Sequence, residues 1–164
     1  MKINQQTTAI VITDPQNAFL SPLGTGYELT KDVIAEVDTI NNLELLFKKA
    51  KELDYQVFVS PHYYYPHDHK WETLSVGEKM THDLKMFDVD GSQMPVESNT
   101  QADFFEAFKP YIEDGKTIIT SPHKIFGPES NDLVLQLRKR GFSKVLVAGM
   151  NSNICVDSHM RELV

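Results

Sequence analysis

The chain has 164 residues, and its 41% hydrophobic and 24% charged residues are typical of one folded domain. A net charge of −7 argues against nucleic acid as a partner, because phosphate binding requires a cationic face. No apolar run approaches the roughly 20 residues that span a bilayer, and MKINQQTTAIV lacks the apolar core of a signal peptide. A cytoplasmic protein without a membrane partner is therefore expected.

Four short apolar segments predict β-strands: TTAIVIT, YQVFVS, KTIIT and KVLVAG. They are apolar throughout rather than alternating, as in parallel strands whose two faces are both covered by helices. Helical patterns separate these segments, and such alternation predicts right-handed crossovers. The predicted fold is α/β, a Rossmann-like open parallel sheet in a three-layer α/β/α arrangement, with a single domain over residues 1–164.

Helices are predicted from apolar spacing and from capping residues. One long helix is expected over KDVIAEVDTINNLELLFKKAKEL, residues 31–53, where apolar side chains recur at three- and four-residue steps. NDLVLQLRKRG predicts a second helix, with Ser130 or Asn131 as its N-cap and Gly141 at its end. A third helix is expected to begin after Gly149 and to carry CVDSHMREL.

The segment from Pro61 to Pro110 gives weaker signals. It is rich in aromatic, histidine and turn residues, and only ADFFEAFKPYI predicts a helix. A long irregular insertion in a compact domain is usually a functional loop, or else a sign that its elements are wrongly assigned.

Three reactive side chains follow predicted strands: Asp14 after AIVIT, Lys124 after TIITSPH, and Cys155 after KVLVAG. Open α/β sheets bind ligands at the carboxyl ends of their strands, so these side chains are expected to meet. A helix N-terminus and a nearby lysine are expected to stabilise the thiolate of the cysteine. The aspartate would act as general base and then acid, and backbone N–H groups from Asn151 onwards would stabilise an oxyanion.

Each of these residues also has a purely structural interpretation. A lone cysteine is usually a small buried hydrophobe, Asp14 precedes Pro15 and can simply end a strand, and Lys124 can be a solvated loop residue. Their coincidence at one edge of the sheet favours the functional interpretation.

The motifs around these residues resemble those of the isochorismatase-like cysteine hydrolase superfamily. AIVITDPQNAF is similar to its opening motif, in which an aspartate ends the first strand. KVLVAGMNSNICVDSH is similar to its nucleophile motif, and SPHKIFGPESNDLVLQLRKRG lies where its lysine motif is expected. The resemblance covers essentially the whole chain.

The resemblance implies an Asp-Lys-Cys triad, carried here by Asp14, Lys124 and Cys155. Such a triad hydrolyses the C–N bond of a small amide, carbamoyl or ureido compound through a thioester, without a cofactor. An alternative is cleavage of the vinyl ether of isochorismate, as in some members of the family, which needs no nucleophile.

The resemblance also implies a cis peptide bond at Met150–Asn151. This bond would belong to the loop that forms the oxyanion site together with Ile154. A homo-oligomer, either a dimer or a tetramer, is expected because members of the family are often oligomers.

Nicotinamidases of this family hold a divalent metal with an Asp-x-His pair after the second strand and one further histidine. Here His62 and Tyr64 occupy the positions of that pair, so no metal is expected. His62 is instead expected to be a donor in the substrate pocket, where Phe19 and Trp71 either cover a planar substrate or pack the long loop.

A metal site elsewhere in this loop remains an alternative, because imidazole and carboxylate groups are zinc ligands. The residues that would form it are His67, Asp68 and His69.

Two further stretches depart from the family's pattern. IFGPES follows Lys124 in place of the usual Ser-Ala-Phe-like turn, which predicts a reshaped loop. The chain also ends at HMRELV, where the family continues through helix, strand and helix. The C-terminal strands are therefore expected to be missing, which would leave the edge of the fourth strand bare unless a partner subunit covers it.

Outside enzymes, the alternative is a non-catalytic α/β binding module. It predicts an inert Cys155 that is alkylated slowly, and ligand binding that survives Asp14→Asn. The hydrolase predicts rapid alkylation that slows when Lys124 is replaced. A nucleotide-binding role is weaker, because no glycine-rich phosphate loop follows the first strand.

Overall fold

The computed structural model describes residues 3–89 and 98–164, and its centre is a sheet of four parallel strands. In chain order the strands are β1 (Thr8–Thr13), β2 (Val57–Ser60), β3 (Ile118–Ile119) and β4 (Lys144–Gly149). Their order across the sheet is β3-β2-β1-β4. The predicted open parallel sheet is confirmed, although β3 is shorter than the segment KTIIT.

Seven α-helices connect and cover the described strands. They are α1 (Asn17–Leu20), α2 (Lys31–Glu36), α3 (Thr39–Glu52), α4 (Val76–Asp83), α5 (Lys109–Ile112), α6 (Leu133–Lys139) and α7 (Asp157–Leu163). A π-helical turn, Ser152–Val156, directly precedes α7. No helix within the described ranges is long and apolar enough to cross a membrane.

The two faces of the sheet are each covered by helices, which explains why its strands are apolar throughout. On one face, alternate residues of β1 and side chains of α3 form one buried cluster that includes Ile10, Ile12, Leu43 and Phe47. On the other face, the remaining β1 residues and α6 form a second cluster that includes Ala9, Val11, Leu133 and Leu137. The predicted three-layer arrangement follows from this alternation.

Asp38 interrupts the single helix that apolar spacing predicts over residues 31–53. Its φ of 50° lies in the left-handed region, so α2 ends before it and α3 begins directly after it. Aspartate tolerates this conformation better than most residues, and its carboxylate accepts a hydrogen bond from Asn41 at 2.8 Å. The single-helix prediction is wrong, and Val33 and Val37 of the α2 segment are exposed rather than buried.

The segment from 61 to 110 contains a helix, α4, that the sequence analysis missed. A capping box begins it: the Ser75 hydroxyl accepts from the Glu78 N–H at 3.2 Å, while the Glu78 carboxylate accepts from the Ser75 N–H at 2.7 Å. ADFFEAFKPYI is not one helix, because a 3-10 turn at Glu106–Phe108 precedes the short α5. Residues 90–97 of the expected loop lie outside the described residues.

β1 and β4 approach closely where β4 ends at Gly149. A Cβ atom on this glycine would lie 2.1 Å from the carbonyl oxygen of Thr13, and its φ is 122°. The next residue, Met150, donates its N–H to the same carbonyl at 3.1 Å and accepts from the Thr13 hydroxyl at 3.2 Å. These contacts hold the loop after β4 against the end of β1.

β4 forms one edge of the described sheet, and Leu146 on this strand is 42% exposed. The domain boundaries and the missing C-terminal strands stay predictions.

Candidate active site

Asp14 lies at the carboxyl end of β1 and is completely buried. Its φ of 49° is in the left-handed region, so the chain turns sharply here, and its N–H donates to the carbonyl of Ser60 at 3.2 Å. The carboxylate oxygen Oδ1 accepts a hydrogen bond from Nε2 of His123 at 2.7 Å. The second oxygen, Oδ2, has no hydrogen-bond partner among the described residues and is therefore available as a proton acceptor.

Cys155 lies in the π-helical turn before α7 and is 4% exposed. Burial raises the pKa of its thiol well above the usual range, and the negative charge of Asp14 raises this pKa further. The sulfur donates weakly to the carbonyl of Ile125 at 3.5 Å. The expected stabilisation of a thiolate at rest is therefore wrong: the thiol keeps its proton, and a carboxylate is its charged neighbour.

The peptide bond between Met150 and Asn151 is cis, as the resemblance implies. The N–H groups of Asn151 and Cys155 interact with the sulfur and oppose the rise in its pKa. The N–H of Ile154, by contrast, donates to the carbonyl of Asn151 at 3.1 Å within the turn. The amides of Asn151 and Cys155 therefore face the sulfur, whereas that of Ile154 is engaged within the turn.

The polar contacts of Lys124 are with a different group of residues. Its ammonium donates to the carboxylate of Asp68 and to the carbonyl of Tyr63, the latter at 2.6 Å, and lies 4.3 Å from the ring centre of Tyr65. Burial lowers its pKa, and Asp68 acts in the opposite direction. Neither Asp14 nor Cys155 is among these contacts.

His123, which the sequence analysis did not select, is the residue that contacts Asp14. It is completely buried, and because a carboxylate can only accept, its Nε2 carries the proton. An isolated parallel bridge pairs His62 with His123, so the backbone is extended here and adjacent side chains point to opposite sides. That alternation directs His123 to Asp14 and its neighbour Lys124 away from it.

Asp14, His62 and His123 form a buried group whose potential metal-ligating atoms lie within 4.8 Å of one another. Two of its atoms are already engaged: Nε2 of His123 binds Asp14, and Nε2 of His62 accepts from the N–H of Ile125 at 3.2 Å. Burial, with a smaller effect of His123, lowers the pKa of His62 well below 6.5, so its ring is neutral.

The residues at the positions of the nicotinamidase metal pair do not form such a pair. His62 faces the group described above, and the hydroxyl of Tyr64 accepts a hydrogen bond from Thr81 at 3.0 Å. In the alternative loop site, Nε2 of the exposed His67 lies 3.3 Å from Asp68, which also binds Lys124. His69 does not join them, since its ring lies 3.1 Å from Asp88.

A cavity of about 830 Å³ opens beside the nucleophile turn, and Cys155 and His62 are among its lining residues. Phe19 also lines it, packed edge-on against Phe87 with 5.4 Å between ring centres. Trp71 does not line this cavity. Its ring packs edge-on against Tyr64 at 6.0 Å, so it belongs to the packing of the loop.

A chain of hydrogen bonds connects the nucleophile turn to β2. Nδ1 of His159 lies 2.7 Å from the carbonyl of Cys155, and its Nε2 lies 2.9 Å from the hydroxyl of Ser60. Asn131 donates to the same hydroxyl at 2.8 Å. Since a carbonyl can only accept, Nδ1 carries the proton and Nε2 accepts from Ser60. Burial and His123 lower the pKa of His159 to about 4, which keeps this ring neutral.

The family model of the isochorismatase domain matches residues 8–164. The fold is similar to a cysteine hydrolase from Pseudomonas syringae pv. phaseolicola 1448A, with 19% identity, a TM-score of 0.69, and coverage of 99% of this chain and 68% of that one. It is also similar to the N-carbamoylsarcosine amidase from Thermoplasma acidophilum (13% identity, TM-score 0.63, coverage 95% and 75%). The pyrazinamidase/nicotinamidase from Streptococcus mutans UA159 is similar as well, with 18% identity, a TM-score of 0.57, and coverage of 96% of this chain and 79% of that one. Among curated protein sequences, none gives a match.

The α/β fold and the match along nearly the whole chain define a hydrolase. The chain belongs to the isochorismatase family.

Proposed function

We propose that this hydrolase cleaves the C–N bond of a small amide, carbamoyl or ureido compound, with Cys155 as nucleophile and Asp14 as general base. The observation that carries the proposal is the buried pair itself. A protonated thiol lies beside a carboxylate that has one oxygen without a partner among the described residues. Such a pair can generate the nucleophile when the substrate arrives.

In the proposed reaction, the sulfur of Cys155 attacks the substrate carbonyl while Asp14 takes the thiol proton. The amides of Asn151 and Cys155 donate to the oxyanion. As this intermediate collapses, the C–N bond breaks, Asp14 gives its proton to the leaving nitrogen, and a thioester remains. Water then attacks the thioester and loses a proton to Asp14, which returns it to the sulfur as the C–S bond breaks.

Within this proposal, His123 orients the base. Its N–H binds Oδ1, which holds the carboxylate in place and leaves Oδ2 to take the thiol proton. The part of Lys124 in a triad stays a prediction of the family resemblance, and its contacts favour a different role, in which it holds Asp68 and the Tyr63 backbone. No step of the proposal needs a metal.

Cleavage of isochorismate is the less supported candidate. That reaction needs no nucleophile, and its substrate carries two carboxylates. None of the described residues that line the cavity is a lysine or an arginine.

The test is mass spectrometry of the intact protein mixed with a panel of small amides and ureas. We expect a thioester adduct on Cys155 in the wild type and at least a roughly thousandfold loss of hydrolysis in Cys155→Ser. Circular dichroism of the variant controls for folding. Hydrolysis that persists unchanged in Cys155→Ala would contradict the proposal.

A further inference from the structure

The residues that line the cavity beside Cys155 are mostly apolar. Buried polar members of the lining are His62 and Thr81. The apolar members include Val33, Val37, Leu43, Leu46 and Ile154, from the α2 segment, α3 and the turn before α7, and uncharged polar residues of α3 and that turn lie among them. A volume of about 830 Å³ is in the range of cavities that bind organic ligands much larger than a simple amide group.

No aspartate, glutamate, lysine or arginine is among the described residues that line this cavity. Lys31, next to its wall on α2, is paired with Glu28 at 2.6 Å on the surface. The one titratable imidazole in the lining, His62, is neutral because burial lowers its pKa. Among the described lining residues, a bound anionic ligand therefore meets no compensating charge.

We propose that the cavity selects uncharged substrates with an apolar acyl group and rejects substrates that carry a second, anionic group. This inference rests on the proposed amide hydrolysis and names the substrate class of that site. The reacting carbonyl binds beside Cys155, and the apolar majority of the lining covers the rest of the acyl chain.

The selectivity follows from desolvation. Each methylene group that moves from water into the cavity raises the binding affinity of the ligand about fourfold. A carboxylate in the same place loses its hydration without a cation to replace it. The free-energy penalty is far larger than the gain from burying the methylene groups.

The experiment compares acetamide, butanamide and hexanamide with adipamate, in which a carboxylate replaces the terminal methyl group of hexanamide. We expect kcat/KM to rise about fourfold per methylene along the neutral series and to be roughly a hundredfold lower for adipamate than for hexanamide. Calorimetric binding of the same compounds to Cys155→Ser provides a readout that does not depend on turnover.

A cation placed at the mouth of the cavity tests the same idea from the protein's side. Val33 lines the cavity and is 59% exposed, so a lysine there can be accommodated without rebuilding the core. We expect Val33→Lys to raise kcat/KM for adipamate roughly fivefold. The matched neutral variant, Val33→Gln, is not expected to raise it.

The outcomes separate this inference from the proposed function. Hydrolysis that depends on Cys155 but prefers adipamate to hexanamide would overturn the inference and leave the proposed function standing. If no amide is hydrolysed, yet Cys155→Ser binds hexanamide in preference to adipamate, the proposed function fails and the selectivity of the cavity stands. Equal binding of both compounds to Cys155→Ser overturns the inference whatever the activity.

Discussion

The carboxylate of Asp14 has opposite effects on the thiol of Cys155 at rest and in the proposed reaction. At rest, burial and the negative charge hold the thiol pKa high. During the proposed reaction, the same carboxylate removes the thiol proton. A substitution that removes the charge therefore separates thiol reactivity from catalysis.

We expect Asp14→Asn to accelerate alkylation of Cys155 by iodoacetamide at neutral pH, because loss of the charge lowers the thiol pKa. The alkylation profile shifts to lower pH, since the thiolate forms earlier. Amide hydrolysis is expected to fall by about 10² to 10⁴, because the general base is lost. The paired measurements are alkylation rate against pH and kcat. If alkylation slows instead, Asp14 does not raise the pKa of this thiol.

A second prediction separates His123 from Lys124. His123→Leu is expected to reduce kcat by about 10²-fold because Asp14 loses the donor that orients it, and His123→Gln is expected to restore part of the rate. Lys124→Met is expected to lower the free energy of unfolding by about 1–3 kcal/mol, since Asp68 loses its cation, while kcat changes less than about tenfold.

Kinetics and urea unfolding of these three variants are the measurements. An inactive but stably folded Lys124→Met, together with an active His123→Leu, would restore the triad that the family resemblance implies.

The positions of Asp14 and Cys155 could be predicted because each follows a strand that the sequence marks clearly. The choice between His123 and Lys124 could not be made from sequence, because it depends on which side of an extended backbone each side chain points to. A basic residue was expected to meet Asp14 here, and the residue that contacts it is His123, the neighbour of Lys124. The pKa of Cys155 depends on burial, which the motif does not reveal.

At the scale of elements, α7 is joined to β2 by the hydrogen bonds of His159. Its ring has a pKa of about 4 in the folded protein and an ordinary value near 6.5 in the unfolded chain. The stabilisation from this neutral ring is therefore complete above pH 6.5. It declines as the pH falls, because the unfolded chain takes up a proton first, and it is lost by about pH 4.

We expect His159→Gln to have a lower free energy of unfolding than the wild type at pH 7. As the pH falls from 6.5 to 4, the difference between the two proteins is expected to narrow by at most about 3 kcal/mol. Urea unfolding at several pH values measures it. His67→Gln is the control for loss of an exposed imidazole, whose Nε2 lies 3.3 Å from Asp68. Parallel stability curves for wild type and His159→Gln would refute this account.

The junction of β1 and β4 gives a fourth prediction. Gly149→Ala is expected to lower the free energy of unfolding by more than about 3 kcal/mol, because the added Cβ would lie 2.1 Å from the carbonyl oxygen of Thr13. Gly115→Ala is the control: its φ of 73° is also left-handed, but a Cβ there meets open space, so only about 1 kcal/mol is expected. Thermal or urea unfolding compares the two. Similar losses would mean that the close approach at Gly149 relaxes easily.

The strands were predictable because helices cover both faces and leave a continuous apolar signal in each. The break at Asp38 was not, since one left-handed residue scarcely alters the spacing of apolar side chains. The α4 helix did carry a signal, the sequence SVGE at its start, which matches the capping box. It was missed because the surrounding segment is dominated by turn residues.

At the scale of the whole molecule, the open parallel sheet with helices on both faces was accessible from sequence, whereas the order of its strands and the cavity were not. Its walls include Val33 and Val37, which helical periodicity assigns to the core. The turn at Asp38 between α2 and α3 leaves these side chains exposed, and they line the cavity. The homo-oligomer implied by the family resemblance stays a prediction, which sedimentation of the purified protein can check.

The uncharged cavity also bears on how each catalytic cycle would end. Cleavage of a neutral amide at pH 7 produces a carboxylic acid that ionises at once and an amine that becomes protonated. A cavity without charged groups binds the neutral amide better than either ionised product, so both products dissociate readily. The liberated acid should accumulate in solution without slowing the enzyme appreciably.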